Sequence, residues 1–213
     1  MEPATHVLDP NGEVVIILRN ETPNNVKRAR QEPPNKARKR AEATEGTTEH
    51  RIQVSAKHLT FVSPVFKKLL TGGLKESATF AEKGSVEVTA DDWQLEAFLI
   101  VLHAIHCQYH EVPKKVTLQL LSDIAVIADY YDCAQALHIM KEIWVEALEE
   151  KVPSQYSTEL MRWLWVSWFF NIDSKFEEAT SIAMTWSDNV IASLGFPIPG
   201  KLIGKRQLQK IKK

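Results

Sequence analysis

The chain has 213 residues, of which 44% are hydrophobic and 25% charged, and this is ordinary for a globular protein large enough to bury one core. Its formal net charge of −1 excludes a general attraction to nucleic acid or to a membrane surface. The only cysteines, Cys107 and Cys133, form no Cys-x-x-Cys pair, which indicates a reducing compartment rather than a disulfide framework.

No membrane segment is expected. The first residues have neither the basic start nor the apolar stretch of a signal peptide. No apolar run approaches the roughly 20 residues that a membrane-spanning helix needs. We therefore expect an intracellular protein that is not bound to a membrane.

The chain up to residue 49 combines one strand with two polar segments. Residues 1–12 end in the turn sequence Asp9-Pro10-Asn11-Gly12, and their polarity predicts a flexible N-terminus. Residues 13–19, EVVIILR, are rich in β-branched side chains and predict the first strand. Residues 20–49 have no aromatic side chain and little apolar surface to offset their ordering entropy, which predicts a disordered basic insertion.

The insertion contains a sequence that resembles a bipartite nuclear-import signal. Two basic clusters flank Pro33-Pro34, and an import receptor reads such a signal as an extended basic peptide. We therefore predict a nuclear location, with the cytoplasm as the alternative if the segment is only a solvated charged loop. Direct nucleic-acid binding is not favoured, because no aromatic side chain is interleaved for base stacking. The predicted signal residues are Lys27, Arg28, Arg30, Lys36, Arg38, Lys39 and Arg40.

Residues 51–77 combine a second strand with two short helices. Ile52 and Val54 alternate with polar neighbours, which predicts a strand with one buried face. The following apolar run predicts helix, divided at Ser63-Pro64 because serine caps a helix start and proline suits a first helical position. Gly72-Gly73 is expected to end the second helix.

The next region predicts a loop, a strand and a helix. Residues 78–84 are interpreted as a loop, and residues 85–89 alternate as a third strand. Asp91 and Asp92 place acidic groups where a helix start favours them, which predicts a helix over residues 93–106.

The remaining chain is predicted to be helical up to a basic tail. Residues 116–133 and 134–150 have the apolar spacing of amphipathic helices. Residues 151–190 predict a helical extension, and its stretch 161–170 is apolar at eight of ten positions, so we expect it to be buried on the last domain helix. A partner-binding aromatic patch and a membrane-surface helix are the alternatives. Residues 191–213 are proline-rich and then basic, and predict a mobile tail.

Two local patterns suggest ligand binding but are not favoured. Residues 195–202 match a phosphate-binding loop until Leu202, which stands where serine or threonine must hold magnesium. The other pattern could place three zinc ligands on one helix face, although an ordinary core helix needs no metal: His103, His106, Cys107 and His110. We predict no cofactor, no metal site and no catalytic residue.

In their order and spacing these features resemble the BTB/POZ domain, in the form common in fungal proteins. The residues that carry the resemblance are Val54, Leu59, Ser63-Pro64, Phe66, the sequence from Gly72 to Ser77, and Ala128-Asp129-Tyr130. The resemblance implies an α+β fold over residues 13–150, in which a cluster of helices packs on a small sheet and the first two strands pair. The long insertion departs from the family pattern, as do Glu13 and Ser55, which stand where relatives often have aspartate and histidine.

BTB domains are protein-interaction modules, so the resemblance implies a non-enzymatic function through protein partners. Such domains commonly form homodimers along the first strand and the first helices. The first two helices of this chain also carry more apolar side chains than one core face needs. We predict a dimer interface that includes Val15, Ile17, Phe61 and Val65, and the alternative for each residue is a place in the core.

Three functions remain open. The leading hypothesis is a nuclear regulatory scaffold that acts through protein partners. The second is a substrate adaptor of a cullin-type ubiquitin ligase, a role of many BTB proteins. The third, a small enzyme or metal-binding protein, requires a catalytic or metal-binding group that is assembled only by folding.

Overall fold

Four strands form one mixed sheet in the computed structural model of this chain, which describes residues 3–21, 47–186 and 195–198. They are β1 (His6–Val7), β2 (Val14–Glu21), β3 (Thr47–Val54) and β4 (Val86–Asp91), in the order β1-β3-β2-β4. Strand β2 runs antiparallel to β3 and parallel to β4, while β1 runs parallel to β3. The predicted pairing of the first two long strands is confirmed.

The two faces of this sheet differ in burial, as the alternation of the sequence predicts. Side chains of one face are charged or polar at most positions and partly exposed. The opposite face forms part of the core, because successive side chains of a strand point to opposite sides. Its buried residues are Val14, Ile16, Leu18, Ile52, Val54, Val86, Val88 and Ala90.

The sheet includes residues that were predicted to belong to the disordered insertion. Strand β2 continues through Glu21 and β3 begins at Thr47, so residues 20, 21 and 47–49 are strand. The ladder continues past the apolar residues because each polar residue has a backbone partner, and Arg19 also pairs with Glu49 at 3.1 Å. The assignment of these five residues to the insertion is therefore wrong, while residues 22–46, with the predicted import signal, lie outside the described residues.

The segment before β2 is hydrogen-bonded to the edge of the sheet. The backbone N–H of Thr5 donates to the Arg51 carbonyl at 2.8 Å, and that of Leu8 donates to the Gln53 carbonyl at 3.0 Å. The Leu8 side chain is buried. This part of the chain pairs with β3 because that strand offers it an open row of backbone partners, and the flexibility of residues 1–12 stays a prediction.

Three short helices connect β3 to β4: α1 (Ala56–Val62), α2 (Pro64–Thr71) and α3 (Lys75–Lys83). Ser63 and Pro64 separate the first two as predicted. Helix α3 replaces the predicted loop of residues 78–84, and it ends at Gly84, whose φ of 69° lies in the left-handed region that glycine favours.

The fourth helix begins later than predicted. Residues Ala90 and Asp91 continue β4, and the Asp92 N–H still donates to the Arg19 carbonyl at 2.9 Å. Asp92 then turns with a φ of 63°, and α4 (Leu95–Ile105) follows. The acidic residues therefore extend the strand and form a turn instead of starting the helix.

The chain divides into two compact units, Met1–Glu96 and Ala97–Lys213. The described residues of the second unit contain the rest of α4 and four further helices: α5 (Leu118–Tyr130), α6 (His138–Ala147), α7 (Thr158–Phe169) and α8 (Asp173–Trp186), with a short 3-10 helix at Ala134–Leu137. No helix among the described residues is both long enough and apolar enough to cross a membrane.

Helix α7 is buried on most of its circumference, as its apolar sequence predicts. Trp163 and Trp165 are among its buried side chains, so the alternative of an exposed aromatic patch is wrong for these two residues. Helix α7 packs chiefly against α5 and α8. The predicted packing on the last domain helix, α6, is therefore not its main contact.

Candidate protein-interaction surface

Helix α1 carries the most exposed large apolar side chain of the described residues, and α2 carries another that is partly exposed. Phe61 on α1 is 92% exposed, and Val65 on α2 is 37% exposed. Leu74, which follows α2, is 43% exposed. Single exposed apolar residues are common on protein surfaces, but a nearly bare phenylalanine on a helix whose packed neighbour also exposes an apolar side chain is typical of an interface.

The corner between the two helices holds Phe61 in this orientation. The buried Ser63 donates its N–H to the Leu59 carbonyl at 3.0 Å, and its hydroxyl accepts from the Phe66 N–H at 3.1 Å. Leu59 and Phe66 are both buried, so they fix the inner side of the two helices. Phe61 is two residues after Leu59, about 200° around the helix, and therefore faces solvent.

Glu13 fixes the start of α1. Its carboxylate accepts a hydrogen bond from the Ala56 N–H at 3.1 Å, while the Ser55 side chain does not cap the helix. A negative group is favourable at this end, where the helix dipole is positive and N–H groups lack internal partners. Glu13 thus connects the beginning of β2 to the helix that carries Phe61.

The two strand residues predicted for the interface differ in exposure. Ile17 is 5% exposed, and Val15 is half-buried. Arg51 stands opposite Ile17 on β3, and its guanidinium reaches Glu87 on β4, so its side chain crosses β2. Because Ile17 is buried in this arrangement, its side chain is not available to a partner, whereas Val15 remains a candidate.

The predicted ligand patterns do not converge on a site in the described residues. His106 Nδ1 lies 2.8 Å from the Leu102 carbonyl oxygen, and His103 Nδ1 lies 2.9 Å from the Gln108 amide oxygen. No group of three or more His, Cys, Asp or Glu side chains in the described part of the chain is arranged to hold a metal ion. Of the phosphate-loop pattern, residues 199–202 lie outside the described residues.

The two cysteines should differ in reactivity. Burial, followed by the nearby charge of Asp132, raises the pKa of Cys133 to about 12, while Cys107 is exposed. Because the thiolate is the reactive form, we expect iodoacetamide at neutral pH to label Cys107 alone in the folded protein and both cysteines after denaturation. Peptide mapping by mass spectrometry checks this, and equal labelling of both thiols in the folded protein would contradict it.

Comparison with known families decides which domain this is. A family model of the BTB/POZ domain matches residues 43–148, which contain β3, β4 and helices α1 to α6. This chain is a BTB/POZ-domain protein. Its fold is the predicted α+β arrangement, and BTB/POZ domains are protein–protein interaction modules. Comparison with curated proteins finds no match to the chain.

The sheet of the BTB/POZ domain extends beyond the matched residues. Strand β2 precedes the match, yet it lies between β3 and β4 and pairs with both. Residues 22–42 separate β2 from the matched part of the sequence. The match thus begins four residues before β3 and does not include β2.

Several exposed apolar side chains were not predicted as candidates. Ile143 on α6 is 38% exposed, and its neighbour one turn earlier, Ile139, is 59% exposed. Both lie about 100° around the helix from a buried neighbour, Met140 or Trp144, so a helical wheel separates the two pairs but does not say which pair faces the core. Val7, Leu74 and Tyr130 are also exposed.

Proposed function

We propose that this BTB/POZ protein is a non-enzymatic interaction module that forms a homodimer through the α1–α2 surface, defined by Phe61 and Val65. The observation that carries the proposal is the 92% exposure of Phe61 on a helix whose two ends are fixed by hydrogen bonds. Burying a phenylalanine side chain contributes about 2–3 kcal/mol, so water is an unfavourable environment for it. A second copy of the same surface would remove both phenylalanines from water at once.

The proposed interface must be wider than these two residues. A stable interface buries about 800 Å² on each partner, and one phenylalanine supplies roughly 150–250 Å². Val15 and Leu74 are further apolar side chains of the same unit with exposed surface. We propose that Phe61 is the anchor of the interface and that the neighbouring residues complete the area.

Sedimentation of the purified full chain tests the homodimer. The chain has a mass of 24.2 kDa, and we expect a particle of twice that mass which dissociates on dilution. A particle of one chain at every concentration would contradict the homodimer. Recovery of a cullin with the chain from a cell extract would instead support the substrate-adaptor function.

We also propose that the protein acts in the nucleus, through the basic sequence of residues 27–40. Replacing its seven Lys and Arg residues by glutamine should abolish nuclear accumulation of the chain fused to a large fluorescent reporter. The matched control replaces the six basic residues of the C-terminal segment by glutamine: Lys201, Lys205, Arg206, Lys210, Lys212 and Lys213. Equal loss in both variants, or loss in neither, would contradict the import signal.

A further inference from the structure

Helix α6 presents a second exposed surface, which we call the α6 surface: Ile139, Glu142, Ile143 and Glu146. These residues follow the i, i+3, i+4, i+7 pattern, so they share one side of the helix, and all four are exposed. The inner side of α6 is fixed, because Met140 and Trp144 are buried and the Trp144 indole donates to the Pro113 carbonyl at 2.7 Å. The two isoleucines are therefore held outward.

The α6 surface is acidic as well as apolar. Within the described residues neither Glu142 nor Glu146 forms an ion pair. The surrounding protein has the same sign of charge, since residues 97–186 contain twelve Asp and Glu but six Lys and Arg, a net charge of −6. The complementary ligand is a peptide that alternates aliphatic with basic side chains.

The chain contains a segment of this composition. Residues 201–213, KLIGKRQLQKIKK, have six basic and no acidic side chains, interspersed with Leu202, Ile203, Leu208 and Ile211. We propose that this segment binds the α6 surface of its own chain, with aliphatic side chains on the two isoleucines and basic groups beside the two glutamates. A partner with a basic, apolar segment would compete with it for the same surface.

The segment is long enough to lie along the whole of α6. The segment begins three residues after Ile198, which is buried. A stretch of 13 residues can span up to about 40 Å, whereas the ten residues of α6 extend over roughly 15 Å. The attraction between the opposite charges is screened by salt, so the contact should weaken as ionic strength rises.

A zero-length carbodiimide cross-linker applied to the full chain tests the proposal, because it joins only carboxylates and amines that are in contact. We expect lysines of residues 201–213 to couple mainly to Glu142 and Glu146, as identified by peptide mass spectrometry. An equal mixture of unlabelled and isotope-labelled chains separates coupling within a chain from coupling between copies. Cross-links found only between copies would overturn the proposal.

The Ile139→Ser/Ile143→Ser double variant tests the apolar part of the contact. We expect its cross-link yield to fall about tenfold, because two aliphatic contacts are lost. Val7→Ser, which removes an exposed apolar side chain of the other unit, should leave the yield unchanged. An unchanged yield in the double variant, or equal coupling to other exposed carboxylates such as Glu82 and Glu177, would overturn the proposal. Melting temperatures that match that of the unmodified chain establish that the variants are folded.

Discussion

Replacing Phe61 by serine should convert the homodimer into a monomer while the free energy of unfolding of the chain stays nearly constant. In a single chain the side chain is 92% exposed, so its removal deletes almost no internal contact. In a two-fold dimer the substitution removes two buried phenylalanines, each contributing about 2–3 kcal/mol. The dissociation constant should therefore rise about a thousandfold or more.

Sedimentation equilibrium of the variant measures this effect, and denaturant unfolding of the same sample establishes that the chain is folded. Ile139→Ser is the matched control, because it also removes an exposed aliphatic group but lies in the other compact unit. It should leave the dissociation constant unchanged. An unaffected Phe61→Ser dimer, or equal weakening by both substitutions, would exclude the α1–α2 surface as the interface.

The alternation and spacing of apolar residues predicted most of the fold, but they did not predict where elements end. Strand β2 was predicted over its β-branched residues, yet it continues through Asn20 and Glu21 because these pair with Thr48 and Thr47. Such partners are distant in sequence and are not apparent from a single strand. Helix α3 was missed because Ser77 is its only buried residue, so no apolar side marks it.

The exposure of the candidate interface residues was predicted only in part, for a similar reason. Phe61 and Val65 lie on helices whose surplus apolar residues indicate an outer side. The sequence around Ile17 does not show whether its side chain is exposed. In the structure the Arg51 side chain crosses from β3 to Glu87 on β4, on the side of the sheet where Ile17 lies buried. The alternation of apolar residues within one strand does not predict that a long side chain from a neighbouring strand will cross and cover it.

In helix α6, too, the spacing of apolar residues was not enough to predict which side chains are buried. Its apolar residues occupy more than one side, so the sequence alone does not decide whether Ile143 or Trp144 faces the core. The structure decides it through the hydrogen bond from the Trp144 indole to Pro113, which lies 31 residues earlier in the chain. The same contact that buries Trp144 therefore leaves the α6 surface exposed.

Trp144→Phe should lower the free energy of unfolding more than Trp165→Phe does. Both indoles are completely buried, and both substitutions remove the same atoms. The Trp144 N–H donates to the Pro113 carbonyl at 2.7 Å, whereas the Trp165 N–H has no acceptor among the described residues. Trp144→Phe leaves that carbonyl without its donor, while Trp165→Phe removes a buried donor that is already unpaired, so the losses should differ by about 1–2 kcal/mol.

Urea unfolding of the two variants and the unmodified chain, followed by tryptophan fluorescence and by circular dichroism, measures the difference. The comparison isolates the hydrogen bond because the lost packing is of the same kind at both sites. Trp163→Phe provides a second test, since the Trp163 indole N–H is also buried and unpaired among the described residues. It should resemble Trp165→Phe, and losses as large as that of Trp144→Phe at either position would mean that burial, rather than the bond to Pro113, determines how strongly each indole stabilises the second unit.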